Sequence, residues 1–68
     1  MDFASAVFAM ERGHKVKRKH WGGYWRLEDG ELIMHCRDGR VLNLRESEDM
    51  VYTLRNMSCN DWEIVKDW

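Results

Sequence analysis

The chain has 68 residues, no proline, two cysteines and a net charge of −1. This length holds one domain, residues 1–68, and the near-neutral balance excludes a protein that attracts polyanions through its bulk field. Two cysteines, Cys36 and Cys59, make no disulfide framework, so both thiols are expected to be reduced and the cytoplasm is the expected compartment.

The opening MDFASAVFAM has no basic leader region and meets charge again at Glu11, so neither a signal peptide nor a membrane span is expected. Asp2 is placed to cap a helix over residues 3–12. Phe3, Ala6, Val7 and Met10 fall on one face of it at i, i+3, i+4 and i+7. That stripe reads as core. Gly13 suits the position just past the helix end. Residues 15–19 read as a strand with Val16 and Arg18 on one face and the lysines on the other, broken at Gly22-Gly23.

Two hairpin signals follow. Asp29-Gly30 separates residues 24–28 from 31–36, and Asp38-Gly39 separates that strand from residues 40–44. Asp-Gly between β-rich runs predicts a type I′ turn, which needs positive φ at both central residues. The period of two puts Trp25 and Leu27 on one face, with Tyr24, Arg26 and Glu28 on the other. Residues 45–49 read as a charged loop and 51–54 as a short strand. Residues 56–60 read as a turn with Asn56 and Ser58 as local caps, and 62–65 as the last strand. The predicted fold is α+β: one N-terminal helix packed on a small antiparallel sheet of about five strands. A core this small is marginal for a lone chain, and oligomerisation is one usual remedy.

Charge is unevenly spread. Residues 1–45 carry +3 and residues 46–68 carry −4, which fits either head-to-tail complementarity between copies or a solvated acidic face.

The densest chemistry lies in residues 14–25, HKVKRKHWGGYW. Lys15, Lys17, Arg18 and Lys19 fall within five positions, followed by Trp21, Gly22-Gly23 and Tyr24-Trp25. Cations suit phosphates, rings suit a base, and glycine permits close backbone approach. This combination is what a nucleotide-like ligand needs. The glycines match neither a Walker loop nor GxGxxG, and a plain turn explains them as well. The same segment fits single-stranded nucleic acid through phosphate contacts and stacking, but the basic patch is short, so nucleic acid is the less favoured partner.

No catalytic or metal constellation is legible. His14, His20, His35, Cys36 and Cys59 lack CxxC or HxxxH spacing, and adjacent His35 and Cys36 point to opposite faces of a strand, the His at the surface and the Cys buried. Ser5, Ser47, Ser58 and the two cysteines sit in no nucleophile elbow. No enzyme activity, metal or cofactor is therefore expected. Asp61-Trp62 reads either as a packed Trp beside a turn Asp, or as a place where Asp61, Asn56 or Asn60 meets a ligand's hydroxyls.

The ordered pattern Phe3-x-x-Ala6-Val7-x-Ala9, Gly13, Val16-x-Arg18-x-x-Trp21 and the closing Asp61-Trp62-Glu63-Ile64-Val65 resembles the small phage proteins called Thoeris anti-defence two. The resemblance spans nearly the whole chain. Gly22 stands where that family often has Asn, and the middle segment is shorter than in many members. The resemblance implies a homo-oligomer, dimer or tetramer, in the cytoplasm of an infected host. Its pockets would lie between subunits and sequester glycocyclic ADP-ribose signals, or cyclic dinucleotides at a separate site, without cleaving them. On that reading Trp21 stacks the base and Arg18 and Lys19 hold the diphosphate, the alternative for Arg18 being a structural ion pair with the acidic C-terminal half. Asp61 or Asn60 meets the ribose hydroxyls, and Gly22 and Tyr24 complete the ligand-binding set. The alternative is a small adaptor that binds nucleic acid or protein through residues 15–25.

Overall fold

A computed structural model describes residues 1–66. Asp67 and Trp68, counted in the charge and aromatic totals, lie outside the described residues. The fold is α+β. Helix α1 (Phe3–Glu11) leads into strands β1 (Val16–Arg18), β2 (Tyr24–Glu28), β3 (Glu31–His35) and β4 (Val41–Asn43). A 3-10 turn (Leu44–Glu46), helix α2 (Met50–Met57) and strand β5 (Trp62–Ile64) complete it. The strands form one antiparallel sheet in the order β4-β3-β2-β1-β5.

Helix α1 begins and ends as its sequence dictates. The Asp2 carboxylate accepts the Ser5 amide at 2.8 Å, satisfying one of the donors left open at a helix start. At the other end Gly13 has φ 92°, and the amides of Gly13 and His14 donate to the carbonyls of Met10 and Ala9. This paired closure needs a residue that tolerates positive φ. Ala6 and Met10 are buried, and Phe3 and Val7 pack at the margin of the core.

The strand register explains which side of the sheet is wet. Val16 pairs with Trp25 and Ile64, Trp25 with Met34, and Met34 with Leu42, so these side chains share one face. Helix α1 lies against β5, β1 and β2. The other face is polar: Lys17 pairs with Glu63 at 3.2 Å, Tyr24 stacks on His35 at 4.5 Å, and His35 Nε2 lies 2.7 Å from Glu28 Oε2. An antiparallel sheet with one packed and one solvated face gives this alternation.

The core centres on Trp62, which is 2% exposed and touches Phe3, Trp21 and Trp25 with ring centroids 5.0 to 5.1 Å away. Its Nε1 donates to the Asn56 carbonyl at 3.0 Å, so the buried indole leaves no orphan donor.

Four expectations are corrected. Residues 51–54 are helical, inside α2, and not a strand. Asp49 caps that helix through the Tyr52 amide at 2.9 Å, and the buried residues are Thr53 and Asn56, one helical turn apart. Asn56 is accordingly a buried helix residue, while Ser58 is the C-cap and donates to the Arg55 carbonyl. The Asp38-Gly39 connection is not type I′, because only Gly39 has positive φ. Its amide donates to the Cys36 carbonyl across the turn, and the wider loop closes through Cys36 N to Arg40 O at 2.8 Å. Cys36 is half-buried rather than buried, because it stands in that loop, past the end of β3.

Candidate functional site

The row Trp25, Met34 and Leu42, running across β2, β3 and β4, lines an open cavity of about 630 Å³. Trp21 and the two glycines contribute from the β1–β2 connection, Arg37 and Arg40 from the β3–β4 connection, and Tyr52 and Thr53 from α2. Glu46, Glu48 and Asp49 add carboxylates from the segment leading into α2. The volume falls in the range that small-molecule sites occupy.

Trp21 is held in place by two other tryptophans. Its ring meets Trp62 nearly edge-on at 5.1 Å and tilts against Trp25 at 5.3 Å, yet it is only half-buried. Its amide donates to the Arg18 carbonyl, and its own carbonyl accepts Lys17 Nζ at 3.2 Å. A large ring fixed by packing on one side and open on another offers a preformed stacking surface.

The glycines serve the fold first. A Cβ on Gly23 would stand 2.2 Å from the His35 carbonyl oxygen, so the chain passes there only without a side chain. A Cβ on Gly22 would stand 2.9 Å from Cγ and Cδ of Arg37, whose stem lies across it. The close approach expected for a ligand at Gly22 is therefore occupied by the protein's own arginine.

Of the expected binding residues, Trp21, Gly22 and Tyr24 reach the cavity, while Arg18, Lys19, Asn60 and Asp61 do not line it. Tyr24 stands at the lining, but its ring is stacked on His35, with Lys15 Nζ 4.8 Å from its centroid. Arg18 is committed elsewhere. Its Nε and Nη2 donate to the two oxygens of Asp61 at 2.8 and 3.1 Å, and its Nη1 donates to Asn56 Oδ1 at 2.8 Å. The hydrogen bonds from Arg18 hold the Asp61 carboxyl below the usual carboxylate range, and the bond to Asp61 raises the guanidinium in turn. Arg18 and Asp61, expected at a ligand's diphosphate and hydroxyls, are bonded to each other in this structure. Lys19 and Asn60 are exposed at the surface.

Sequence reasoning missed Arg37, Met34, Leu42 and Tyr52. For Arg37 a signal existed. The Asp29-Gly30 hairpin pairs Tyr24 with His35, and extending that register two steps sets Gly22 beside Arg37.

The hydroxyls near the cavity bond to each other and to backbone. Ser47 Oγ and Thr53 Oγ1 lie 3.2 Å apart, and Thr53 Oγ1 donates to the Asp49 carbonyl. Among the described residues no group of three His, Cys, Asp or Glu side chains gathers as a metal site. In the same residues no helix is long and apolar enough to cross a membrane. Comparison with protein-family models, curated proteins and solved structures finds no match.

Proposed function

We propose that this protein is a sponge: a homo-oligomer that binds a cyclic nucleotide signal, a glycocyclic ADP-ribose isomer or a cyclic dinucleotide, and withholds it without cleaving it. In an infected bacterial cytoplasm this would blunt a TIR-based Thoeris defence, as the resemblance of its helix, VxRxxW and DWEIV segments implies. The observation that carries the binding half of this reading is the half-buried Trp21 ring, braced by Trp25 and Trp62 and lining a nucleotide-sized cavity. Withholding a micromolar signal needs roughly −10 to −12 kcal/mol of binding. Stacking, an arginine at the mouth and carboxylates able to accept sugar hydroxyls are together suited to that range.

Self-association is supported by α2. Val51 and Leu54 are 61% and 55% exposed, and Met50 and Tyr52 beside them are also open. An apolar helix face of this kind on so small a domain favours a partner. Tyr52 also lines the cavity, so a second copy seated on α2 would cover part of its mouth.

Calorimetry with cyclic ADP-ribose isomers and cyclic dinucleotides tests the reading. Submicromolar binding with the ligand recovered intact after denaturation supports it. Turnover of the ligand, or no binding of either class, overturns it.

A further inference from the structure

Three of the four cations in the basic run have partners within the chain, and the fourth, Lys19, is exposed and does not line the cavity. Lys17 donates to the carbonyls of Lys19 and Trp21 and pairs with Glu63, Arg18 is locked on Asp61 and Asn56, and Lys15 lies over the Tyr24 ring. The strong cations that line the cavity come instead from the β3–β4 connection, Arg37 and Arg40. Arg40 is tied to its neighbour: its Nε donates to Asp38 Oδ2 at 2.9 Å, and its amide to Asp38 Oδ1. Arg37 has no carboxylate within ion-pair distance among the described residues.

We infer that Arg37 is the anion-recognising residue of this cavity, and that the ligand held against Trp21 presents a phosphate or diphosphate to its guanidinium. The inference rests on the cavity being the ligand site. Two observations give it substance. Gly22 is not one of the glycines with positive φ, so its backbone does not demand glycine. What the missing side chain provides is room for the Arg37 stem, which crosses it at contact distance. That contact sets the arginine stem over the residue next to Trp21, and both residues line the cavity, so one can stack a base while the other binds the attached phosphate. A guanidinium meets phosphate oxygens through two parallel donors, which fixes orientation as well as charge. The second observation is the carboxylate group of Glu46, Glu48 and Asp49 in the same lining. It repels phosphate and accepts hydroxyl or amino donors, so the ligand has a defined polarity: phosphate toward the β3–β4 connection, sugar or base donors toward the start of α2. A long polyanion meets this acidic segment unfavourably, whereas a compact nucleotide satisfies both ends.

The test is calorimetry of the full chain with a glycocyclic ADP-ribose isomer and with adenosine, on wild type, Arg37→Ala, Arg37→Lys and Gly22→Ala, with thermal melting to confirm the fold. Wild type is expected to prefer the glycocyclic ADP-ribose. Arg37→Ala is expected to weaken that ligand about tenfold or more while leaving adenosine within about twofold, with Arg37→Lys between the two. Gly22→Ala displaces the stem and is expected to share the ligand-selective loss. Equal effects on both probes, or none on either, overturn the role of Arg37 while the cavity stands. A wild type that binds neither probe overturns the cavity and the arginine together.

Discussion

Arg18 and Asp61, 43 residues apart in sequence, meet through two parallel hydrogen bonds at 2.8 and 3.1 Å. The third guanidinium nitrogen reaches Asn56, whose own amide nitrogen donates back to the Tyr52 carbonyl. One side chain thus ties β1 to α2 and to the approach of β5. All three guanidinium nitrogens of the arginine in the basic run thus have partners within the chain.

The pair carries a pH signature. The Asp61 carboxyl is held low in the folded chain by its bonds to Arg18. Its contribution is therefore complete above the ordinary carboxylate range and disappears as pH falls through the lowered folded value. Chemical denaturation of wild type and Asp61→Asn from pH 7 to pH 2 is expected to show two curves that converge in acid, wild type falling more steeply below about pH 4. Asp2 and Asp38 are also held low and are common to both proteins, so they cancel in the difference. Parallel curves would mean that the pair adds nothing to stability.

The adjacent glycines should respond differently to alanine. Gly23→Ala drives a Cβ into the His35 carbonyl oxygen and is expected to cost about 2 kcal/mol or more. Gly22→Ala meets only the flexible stem of Arg37 and is expected to stay within about 0.5 kcal/mol. Urea melts of the two variants decide this, and equal costs would contradict the assigned contacts.

Trp21 and Trp62 should separate function from fold. Trp62 is buried and bonded through Nε1, so Trp62→Ala is expected to cost about 3–5 kcal/mol and leave little folded protein. Trp21 is only half-buried, so Trp21→Leu keeps apolar contact with the core at a cost of about 1–2 kcal/mol. It should weaken cyclic nucleotide binding about tenfold or more. Full affinity in a folded Trp21→Leu variant would remove the stacking role.

The outward face of α2 is open to the same kind of test. Val51→Lys with Leu54→Glu changes two exposed positions, so the stability of the chain itself should move by no more than about 1 kcal/mol in total. Sedimentation velocity is expected to show the wild-type assembly falling to monomer. An unchanged assembly would place the contact elsewhere.

What the sequence made legible follows where its signals are local. The Asp29-Gly30 hairpin has φ 54° and 78° at its two central residues, as a type I′ turn needs, and it sets the register of β2 and β3. Helix α1 was readable from Asp2, its apolar stripe and Gly13. Helix α2 was not, because its apolar residues Val51 and Leu54 face outward while polar Thr53 and Asn56 are buried through hydrogen bonds. Hydrophobic patterning reports burial only when apolar groups are the ones buried. The charge split between the two halves of the chain allowed an ion pair for Arg18 with the acidic C-terminal half, but not its partners, which lie 38 and 43 residues away and meet it only in the folded sheet.

Native mass spectrometry of the full chain with cyclic ADP-ribose isomers, before and after denaturation, tests the central claim most directly. The account predicts an oligomer carrying ligand, released at its original mass when the protein is unfolded. A ligand-free monomer at saturating concentration, or a ligand returned with altered mass, would contradict it.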